Sequence, residues 1–141
     1  MTFNEFITAN NGKPLEVVDP SNKNMCVDLM YGFVRDVLQR PVFSIPPALY
    51  AKNIFINFAP NIEYDKIMNS PTNVPVRGDI VFWKWYWWVT GFAGHVAVFD
   101  HGDVNYFWSF DQNYPTGSPC HFQRHSYAGV MGWIHAKGVT I

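Results

Sequence analysis

The sequence predicts an α+β domain in which N-terminal helices pack on an antiparallel sheet of five to six strands. Segments with helical periodicity lie in the first third of the chain, whereas short alternating segments divided by Gly, Pro and Asp-Gly turns fill the second half. Helices followed by a meander of strands are typical of this class. At 141 residues, the chain is expected to form a single domain over residues 1–141.

Three helices are predicted, over residues 3–9, 25–38 and 46–53. In the second, apolar side chains recur every three to four residues, and Asn22 or Asn24 can cap its start. Five strands, each bounded by turn residues, follow at residues 79–85, 95–100, 104–112, 121–125 and 130–136. The segment 57–75 contains several prolines and is expected to be a loop.

The charge and hydropathy of the chain exclude two function classes. The net charge is −1 and the ten Lys and Arg residues are scattered, so no nucleic-acid interface is expected. No apolar run reaches transmembrane length, so membrane insertion is not expected either. The N-terminus lacks a basic region followed by an apolar stretch, which predicts synthesis in the cytoplasm without a signal peptide.

Cys26 lies where a polar loop gives way to the second predicted helix. A thiol in the first turn of a helix is favoured as the nucleophilic thiolate, because the positive end of the helix dipole stabilises negative charge. One alternative is a buried cysteine that packs as a small hydrophobic residue. Another is a disulfide with Cys120, although two cysteines are too few for a disulfide scaffold.

His95 opens a predicted strand directly after Gly94. Alternation places Val96 and Val98 on one face, where they can anchor the strand in the core, and His95 on the other face. A histidine at a strand end reached through glycine can approach a thiol closely enough to act as its general base. The alternative is a surface histidine, or one that is satisfied within the core.

Asp111 and Asn113 come after a further apolar strand, and alternation places both on one face. Either side chain could accept a hydrogen bond from the second ring nitrogen of His95 and fix its tautomer. The alternative is a turn, because Asp, Asn and Pro are also ordinary residues at a strand exit.

An aromatic stretch covers residues 83–88. Large rings on both faces of a strand predict that some rings lie near solvent, where Trp83, Trp87 and Trp88 would form a wall of a substrate groove. The alternative is that these rings pack in the core.

A zinc site is not expected. His121 and His125 follow Cys120, and His101 and His135 are further potential ligands. Structural zinc sites, however, use paired ligands at short, repeated spacings, and no second pair is present here.

Four stretches, in this order along the chain, resemble a CHAP domain, the cysteine, histidine-dependent amidohydrolase/peptidase family of the papain-like superfamily. They are Cys26-Val27-Asp28-Leu29, Arg77-Gly78-Asp79-Ile80-Val81-Phe82-Trp83, Gly94-His95-Val96-Ala97-Val98-Phe99 and Asp111-Gln112-Asn113. The resemblance implies a papain-like fold and peptidoglycan hydrolysis by an N-acetylmuramoyl-L-alanine amidase or an endopeptidase, as in bacteriophage endolysins. It also implies Cys26 as the nucleophile, His95 as the base, and Asp111 or Asn113 as the residue that orients His95.

The chain departs from the family pattern at two places. Met25 stands where many members have Gln, so an oxyanion would be held by backbone N–H groups or by Asn24. Some members bind calcium through acidic residues before the cysteine; here Asp19 and Asp28 remain, and Lys23 places a positive charge between them. No cofactor is therefore expected, with calcium left open.

The resemblance predicts an enzyme that acts on bacterial peptidoglycan in phage-infected host cells. It is expected to be a monomer, with a separate wall-binding domain or subunit left open. Two alternatives remain at this point. One is a papain-like protease or deamidase that acts on proteins, and the other is a non-catalytic wall- or glycan-binding module with Cys26 bridged to Cys120.

Overall fold

Three α-helices and a six-stranded sheet are present in the computed structural model, which describes residues 1–18, 21, 25–84 and 92–141. The helices are α1 (Phe3–Asn10), α2 (Cys26–Asp36) and α3 (Ala51–Asn57), with a 3-10 turn at Val42–Ser44. The strands are β1 (Tyr64–Met68), β2 (Ile80–Trp83), β3 (His95–Gly102), β4 (Tyr106–Asp111), β5 (His121–Ser126) and β6 (Val130–Ala136). In the part of the chain that the structure describes, no helix has the length and apolar character needed to cross a bilayer.

The strands pair antiparallel throughout, in the order β1-β6-β2-β3-β4-β5. The predicted α+β class, with N-terminal helices on an antiparallel sheet of five to six strands, is confirmed. Trp83 of β2 lies opposite His95 of β3, and Phe107 of β4 lies opposite His125 of β5. This register brings the polar residues of three neighbouring strands onto one face of the sheet.

The two faces of the sheet bury different sets of side chains. The helical face holds the larger apolar cluster, which includes Val96 and Val98 of β3 and Leu29 and Phe33 of α2. The opposite face holds a smaller cluster, formed by Val81, Trp83, Ala97, Phe99, Phe107, Val130 and Trp133. The predicted alternation along β3 is thus observed, and His95 lies on the face of the smaller cluster.

The start of α2 is fixed by Asp28, which is fully buried in the first turn of the helix. One carboxylate oxygen accepts a hydrogen bond from the backbone N–H of Met25 at 2.9 Å. The other accepts from the N–H groups of Val17 and Val18, each at 2.9 Å. Because these donors would otherwise lack partners next to the helix start, Asp28 holds Val17 and Val18 against the start of α2.

The stretch Arg77-Gly78-Asp79 secures β2 against β3. The N–H of Gly78 donates to the carbonyl of Phe99 at 2.9 Å, and the N–H of Phe99 donates to the carbonyl of Asp79 at 2.8 Å. The guanidinium of Arg77 donates to the carboxylate of Asp100 at 2.8 Å. These contacts extend the β2–β3 ladder beyond the strand and set its register.

Two elements differ from the prediction. The third helix lies at Ala51–Asn57 and not at 46–53, because the Pro46-Pro47 pair disfavours helical backbone before the second proline. The predicted loop at 57–75 contains strand β1. Its residues form a strand because they pair along β6, from Tyr64 opposite Ala136 onward, and not because their own pattern favours one.

Candidate active site

His95 is the first residue of β3, and only 3 % of it is exposed. The preceding Gly94 has a φ of +73°, a backbone conformation that residues with a Cβ rarely adopt. The N–H of Lys52 in α3 donates to the carbonyl of Ala93 at 3.1 Å. The chain therefore enters β3 along a fixed path, and the imidazole Nε2 lies 2.7 Å from Oδ2 of Asp111, the last residue of β4.

Asp111 is fully buried, and its carboxylate contacts three side-chain donors. Oδ2 lies 2.7 Å from Nε2 of His95 and 2.9 Å from Nε2 of His125, while the hydroxyl of Ser109 donates to Oδ1 at 2.5 Å. Burial raises the pKa of Asp111, but hydrogen bonds from His125 and His95 and the charges of these imidazoles outweigh it. The pKa therefore falls to about 2, and Asp111 is ionised at neutral pH.

The ionised carboxylate fixes the protonation of both ring nitrogens that contact it. A carboxylate only accepts hydrogen bonds, so Nε2 of His95 and Nε2 of His125 must each carry a hydrogen. In His95 this leaves Nδ1 as the ring nitrogen available to Cys26, whose hydrogen bond to the imidazole is one of the causes that raise the pKa of His95. The neutral imidazole then has its lone pair on Nδ1, which is the tautomer that can take a proton from a nucleophile.

Cys26 is the first residue of α2 and is 7 % exposed. Its side chain is a hydrogen-bond partner of His95. Burial lowers the pKa of His95, but hydrogen bonds to Asp111 and Cys26 and their negative charges outweigh it, so the pKa rises to about 9. At neutral pH the imidazole therefore carries a second proton and a positive charge, which is the kind of neighbour that nucleophilic cysteines have.

Asn113 lies in the turn that follows β4 and has a φ of +61°. Its backbone N–H donates to the carbonyl of Ser118 at 2.9 Å, and its side-chain Oδ1 accepts from the N–H of Gly117 at 2.6 Å. Of the two residues predicted to orient His95, Asp111 contacts the imidazole and Asn113 closes the turn. Strand alternation stops at Asp111, so the expectation that both residues share one strand face was wrong.

Gln112 was missed as a site residue, although it lies between the two predicted ones. It is fully buried, and its amide oxygen accepts from the N–H of Leu15 at 2.7 Å. Its amide nitrogen donates to the carbonyls of Leu15 at 2.9 Å and Met25 at 2.8 Å. Gln112 thereby ties the end of β4 to the residue before Cys26. A long amide side chain between two candidate catalytic residues is the signal that could have found it.

His125 was also missed, because its place after Cys120 and His121 in the sequence suggested only a zinc ligand. It lies on β5, is 6 % exposed, and donates from Nε2 to Asp111. No local pattern identifies this contact, since it depends on β5 being the neighbour of β4 and on the register between them.

Trp83 lies beneath the catalytic candidates and is fully buried. Its ring centroid is 5.0 Å from that of His95, 4.7 Å from that of His125 and 5.8 Å from that of Phe107. Trp83 has no exposed surface and packs against the rings of His95 and His125. The prediction that it forms a wall of a substrate groove was therefore wrong. Five residues of the sequence predictions lie outside the described residues: Asp19, Asn22, Asn24, Trp87 and Trp88. Their predicted site roles stay predictions, but the N-cap of α2 is Met25, so the prediction that Asn22 or Asn24 caps this helix was wrong.

Both cysteines are free, so the Cys26–Cys120 bridge that a non-catalytic module would need is not formed. The thiol of Cys120 is fully buried and donates to the amide oxygen of Gln112 at 3.3 Å. Burial raises the pKa of the Cys120 thiol to about 12. Of the two thiols, the one next to an imidazole is Cys26.

Three buried side chains within the described residues could together hold a metal ion: His95, Asp111 and His125, whose ligand atoms lie within 4.8 Å of one another. A metal ion would have to displace the two Nε2 hydrogens that these histidines donate to Asp111. For the calcium alternative, both carboxylate oxygens of Asp28 already accept backbone hydrogen bonds. Calcium binding stays a prediction that has not been tested.

No protein-family model matches this sequence, and no curated protein matches it. The fold matches solved structures. The crystal structure of the endolysin LysIME-EF1 superposes with a TM-score of 0.72 at 19 % identity, covering 96 % of this chain and 64 % of that one. Ly7917, solved with the hydrolyzing product of MDP, superposes with a TM-score of 0.67 at 19 % identity, covering 98 % of this chain and 64 % of that one. The chain thus shares the fold of these proteins and spans less than two thirds of their length.

Proposed function

We propose that this protein is a cysteine-dependent peptidoglycan hydrolase that cleaves an amide or peptide bond of the bacterial cell wall. The observation that carries the proposal is the contact series from Cys26 through His95 to Asp111. It joins a thiol at a helix start, an imidazole with its second nitrogen oriented, and a buried ionised carboxylate. This is the set of groups that nucleophilic acyl transfer requires.

The geometry supports a two-step reaction. The Cys26 thiolate attacks the substrate carbonyl carbon, and the negative charge moves to the carbonyl oxygen. In the first turn of α2 the N–H of Asp28 donates to the carbonyl of Met25 at 3.0 Å. The N–H groups of Cys26 and Val27 precede it at the helix start and can hold this oxyanion. His95 then gives its Nδ1 proton to the leaving nitrogen, the C–N bond breaks, and a thioester remains on Cys26. Water, deprotonated by the same nitrogen, attacks the thioester and releases the acid and the thiol.

The substrate class is supported by the fold neighbours. One of them is an endolysin, and another was solved with the hydrolyzing product of MDP, a peptidoglycan fragment. The order and identity of Cys26, His95 and Asp111 support assignment to the CHAP family, whose members act on the same polymer. We further infer that the enzyme acts on the wall of phage-infected cells.

The central experiment compares wild-type protein, Cys26→Ala and Cys120→Ala on purified peptidoglycan. Cys26→Ala should fold and lose all release of soluble fragments, because the attacking atom is removed. Cys120→Ala is the matched control: it removes the other thiol, which does not contact His95, and should keep activity. A folded Cys26→Ala protein with wild-type activity would refute the cysteine mechanism.

The bond that is cut follows from the new termini on the released fragments. Mass spectrometry should show free L-alanine amino termini if the enzyme is an N-acetylmuramoyl-L-alanine amidase. It should show new termini within the stem or cross-bridge if the enzyme is an endopeptidase. A denatured protein substrate in parallel tests the alternative of a papain-like protease. Cleavage of that substrate with no release from peptidoglycan would overturn the proposed substrate class.

A further inference from the structure

Two imidazoles share one carboxylate oxygen in this site. Oδ2 of Asp111 lies 2.7 Å from Nε2 of His95 and 2.9 Å from Nε2 of His125, and Ser109 occupies Oδ1. The proposed reaction uses His95 and Asp111 but leaves His125 without a role. A buried histidine that donates to the catalytic carboxylate therefore calls for a physical explanation.

The position of His125 is tightly constrained by aromatic rings. Its ring centroid lies 4.7 Å from that of Trp83, 5.1 Å from that of Tyr114 and 5.5 Å from that of Phe107. These contacts fix the imidazole plane, while β5 fixes its backbone. The direction of the Nε2–H bond is thus constrained by the surrounding rings as well as by Asp111.

Asp111 depends on such donors because its carboxylate has no exposed surface. Each donor that a buried carboxylate loses leaves part of its desolvation cost uncompensated, and without His125 only His95 would donate to Oδ2. A carboxylate with fewer donors takes up a proton or rotates more readily, and either change weakens its contact with Nε2 of His95. His95 would no longer be held in the tautomer with its lone pair toward Cys26.

We propose that His125 is a positioning residue: it anchors Oδ2 of Asp111 from the β5 side, so that Asp111 holds His95 in the tautomer that serves Cys26. This inference rests on the proposed function for its kinetic consequence, but its structural consequence can be measured without any activity. His125 acts through Asp111 and does not touch the reacting atoms.

The kinetic test compares His125→Phe with His125→Gln on solubilised peptidoglycan. Phe keeps a ring between Trp83 and Tyr114 but removes the donor, and it should lower kcat about 10- to 100-fold with little change in KM. In His125→Gln the amide nitrogen can reach the position of Nε2 and donate to Asp111, so most of the lost kcat should be recovered. The matched control is His121→Phe on the same strand, where the imidazole bonds the carbonyl of Pro119 at 2.7 Å and activity should be unchanged.

The structural test measures the ring nitrogens of His95 by 15N NMR in the Cys26→Ala background, above the pH at which the imidazole loses its second proton. With His125 present, the neutral ring should be the Nε2–H tautomer alone. With His125→Phe it should be a mixture of tautomers, and with His125→Gln the single tautomer should return. If His125→Phe does not fold, His125→Asn, whose amide is too short to reach Asp111, takes its place.

A donor-free variant with wild-type kcat and a single His95 tautomer would overturn the inference. So would a folded His125→Gln protein that is as impaired as His125→Phe, because the donor would then not be what matters. A fully active Cys26→Ala protein would instead refute the proposed function, and the tautomer measurement would still decide the role of His125.

Discussion

The two cysteines of this chain show how strongly local environment governs a single residue. Cys120 is fully buried, and its thiol donates to the uncharged amide of Gln112. Burial raises the pKa of this thiol to about 12. Cys26 lies at the start of α2 beside His95, an imidazole that is protonated at neutral pH. Since the thiolate is the reacting species, nucleophilic reactivity should be confined to Cys26.

Iodoacetamide should therefore modify Cys26 of the native protein at pH 7 and leave Cys120 untouched. The physical reason is that Cys26 alone combines an adjacent positive charge with some exposed surface. Peptide mass spectrometry after a time course measures both sites, and denatured protein, in which both thiols should react, serves as the control. Equal modification rates of Cys26 and Cys120 in the native protein would contradict the predicted difference in reactivity between them.

Asp111 should set the upper pH limit of catalysis. Burial lowers the pKa of His95, but hydrogen bonds to Asp111 and Cys26 and the charges of both groups raise it to about 9, so the imidazolium that protonates the leaving group persists up to that pH. Asp111→Asn removes the charge, and the alkaline limb of kcat/KM should move from near 9 toward the ordinary histidine value of 6.5. The maximal rate should fall by about 100-fold or more, as expected when the residue that fixes a catalytic tautomer is neutralised.

Asn113→Ala is the control for this pH profile. Asn113 hydrogen-bonds within the turn after β4, and its replacement should leave the alkaline limb in place even if the turn is weakened. An Asp111→Asn profile that keeps its limb near pH 9 would show that Cys26, and not Asp111, maintains the charge of His95.

Among the elements, those with a strong local pattern were predictable, and those that depend on a partner strand were not. The amphipathic period located α2, and hence Cys26 at its start. The alternation of β3 placed His95 opposite the core-facing Val96 and Val98. By contrast, β1 is a strand because β6 pairs with it, and its residues carry no alternating pattern.

The candidate site divides in the same way. Cys26 and His95 were predicted as site residues because each stands at the start of an element that the sequence marks, and Asp111 was predicted together with Asn113 at the exit of a strand. Gln112 and His125 were not, because their importance lies in contacts with residues 97 and 14 positions away in the chain. Such contacts are set by strand order and register, which local propensity does not determine.

The entry into β3 should be intolerant of a side chain. A Cβ at Gly94 would collide with the carbonyl oxygen of Trp83 and would lie 2.9 Å from Cβ of Lys52, at a φ of +73°. Gly94→Ala should therefore destabilise the protein by more than the ~1–2 kcal/mol that a left-handed residue alone costs. It should also lower activity, because His95 follows directly. Thermal unfolding and the lytic rate measure the two effects.

Gly117→Ala is the matched control for the backbone term. Gly117 has a φ of +86°, but a Cβ there would meet no atom within 4 Å. Gly117→Ala should lower the free energy of unfolding only by the cost of a left-handed backbone conformation, and its activity should be retained. If Gly94→Ala is no more destabilised than Gly117→Ala, then α3 and β2 do not confine the chain before His95.

At the scale of the whole molecule, the two faces of the sheet carry different groups of residues. The helical face carries the larger apolar core, while His95, Asp111 and His125 are embedded among aromatic rings on the other face. Cys26 belongs to the helical side and meets His95 where β3 begins. Because the polar site is buried, changes in its protonation should affect the stability of the whole fold.

The free energy of unfolding should consequently depend on pH through this site. The pKa of His95 is raised from 6.5 to about 9, so its contribution is complete below pH 6.5 and is lost as the pH rises through 9. The pKa of Asp111 is lowered from 3.8 to about 2, so its contribution is complete above pH 3.8 and is lost as the pH falls through 2. The free energy of unfolding, measured with denaturant, should be constant between pH 3.8 and pH 6.5. On the alkaline side it should decrease by an amount on the order of 3 kcal/mol. In Asp111→Asn this decrease should be smaller and should begin at a lower pH, because the pKa of His95 is raised less in the folded protein. An identical alkaline slope in both proteins would mean that the pairing of His95 with Asp111 does not contribute to folding stability.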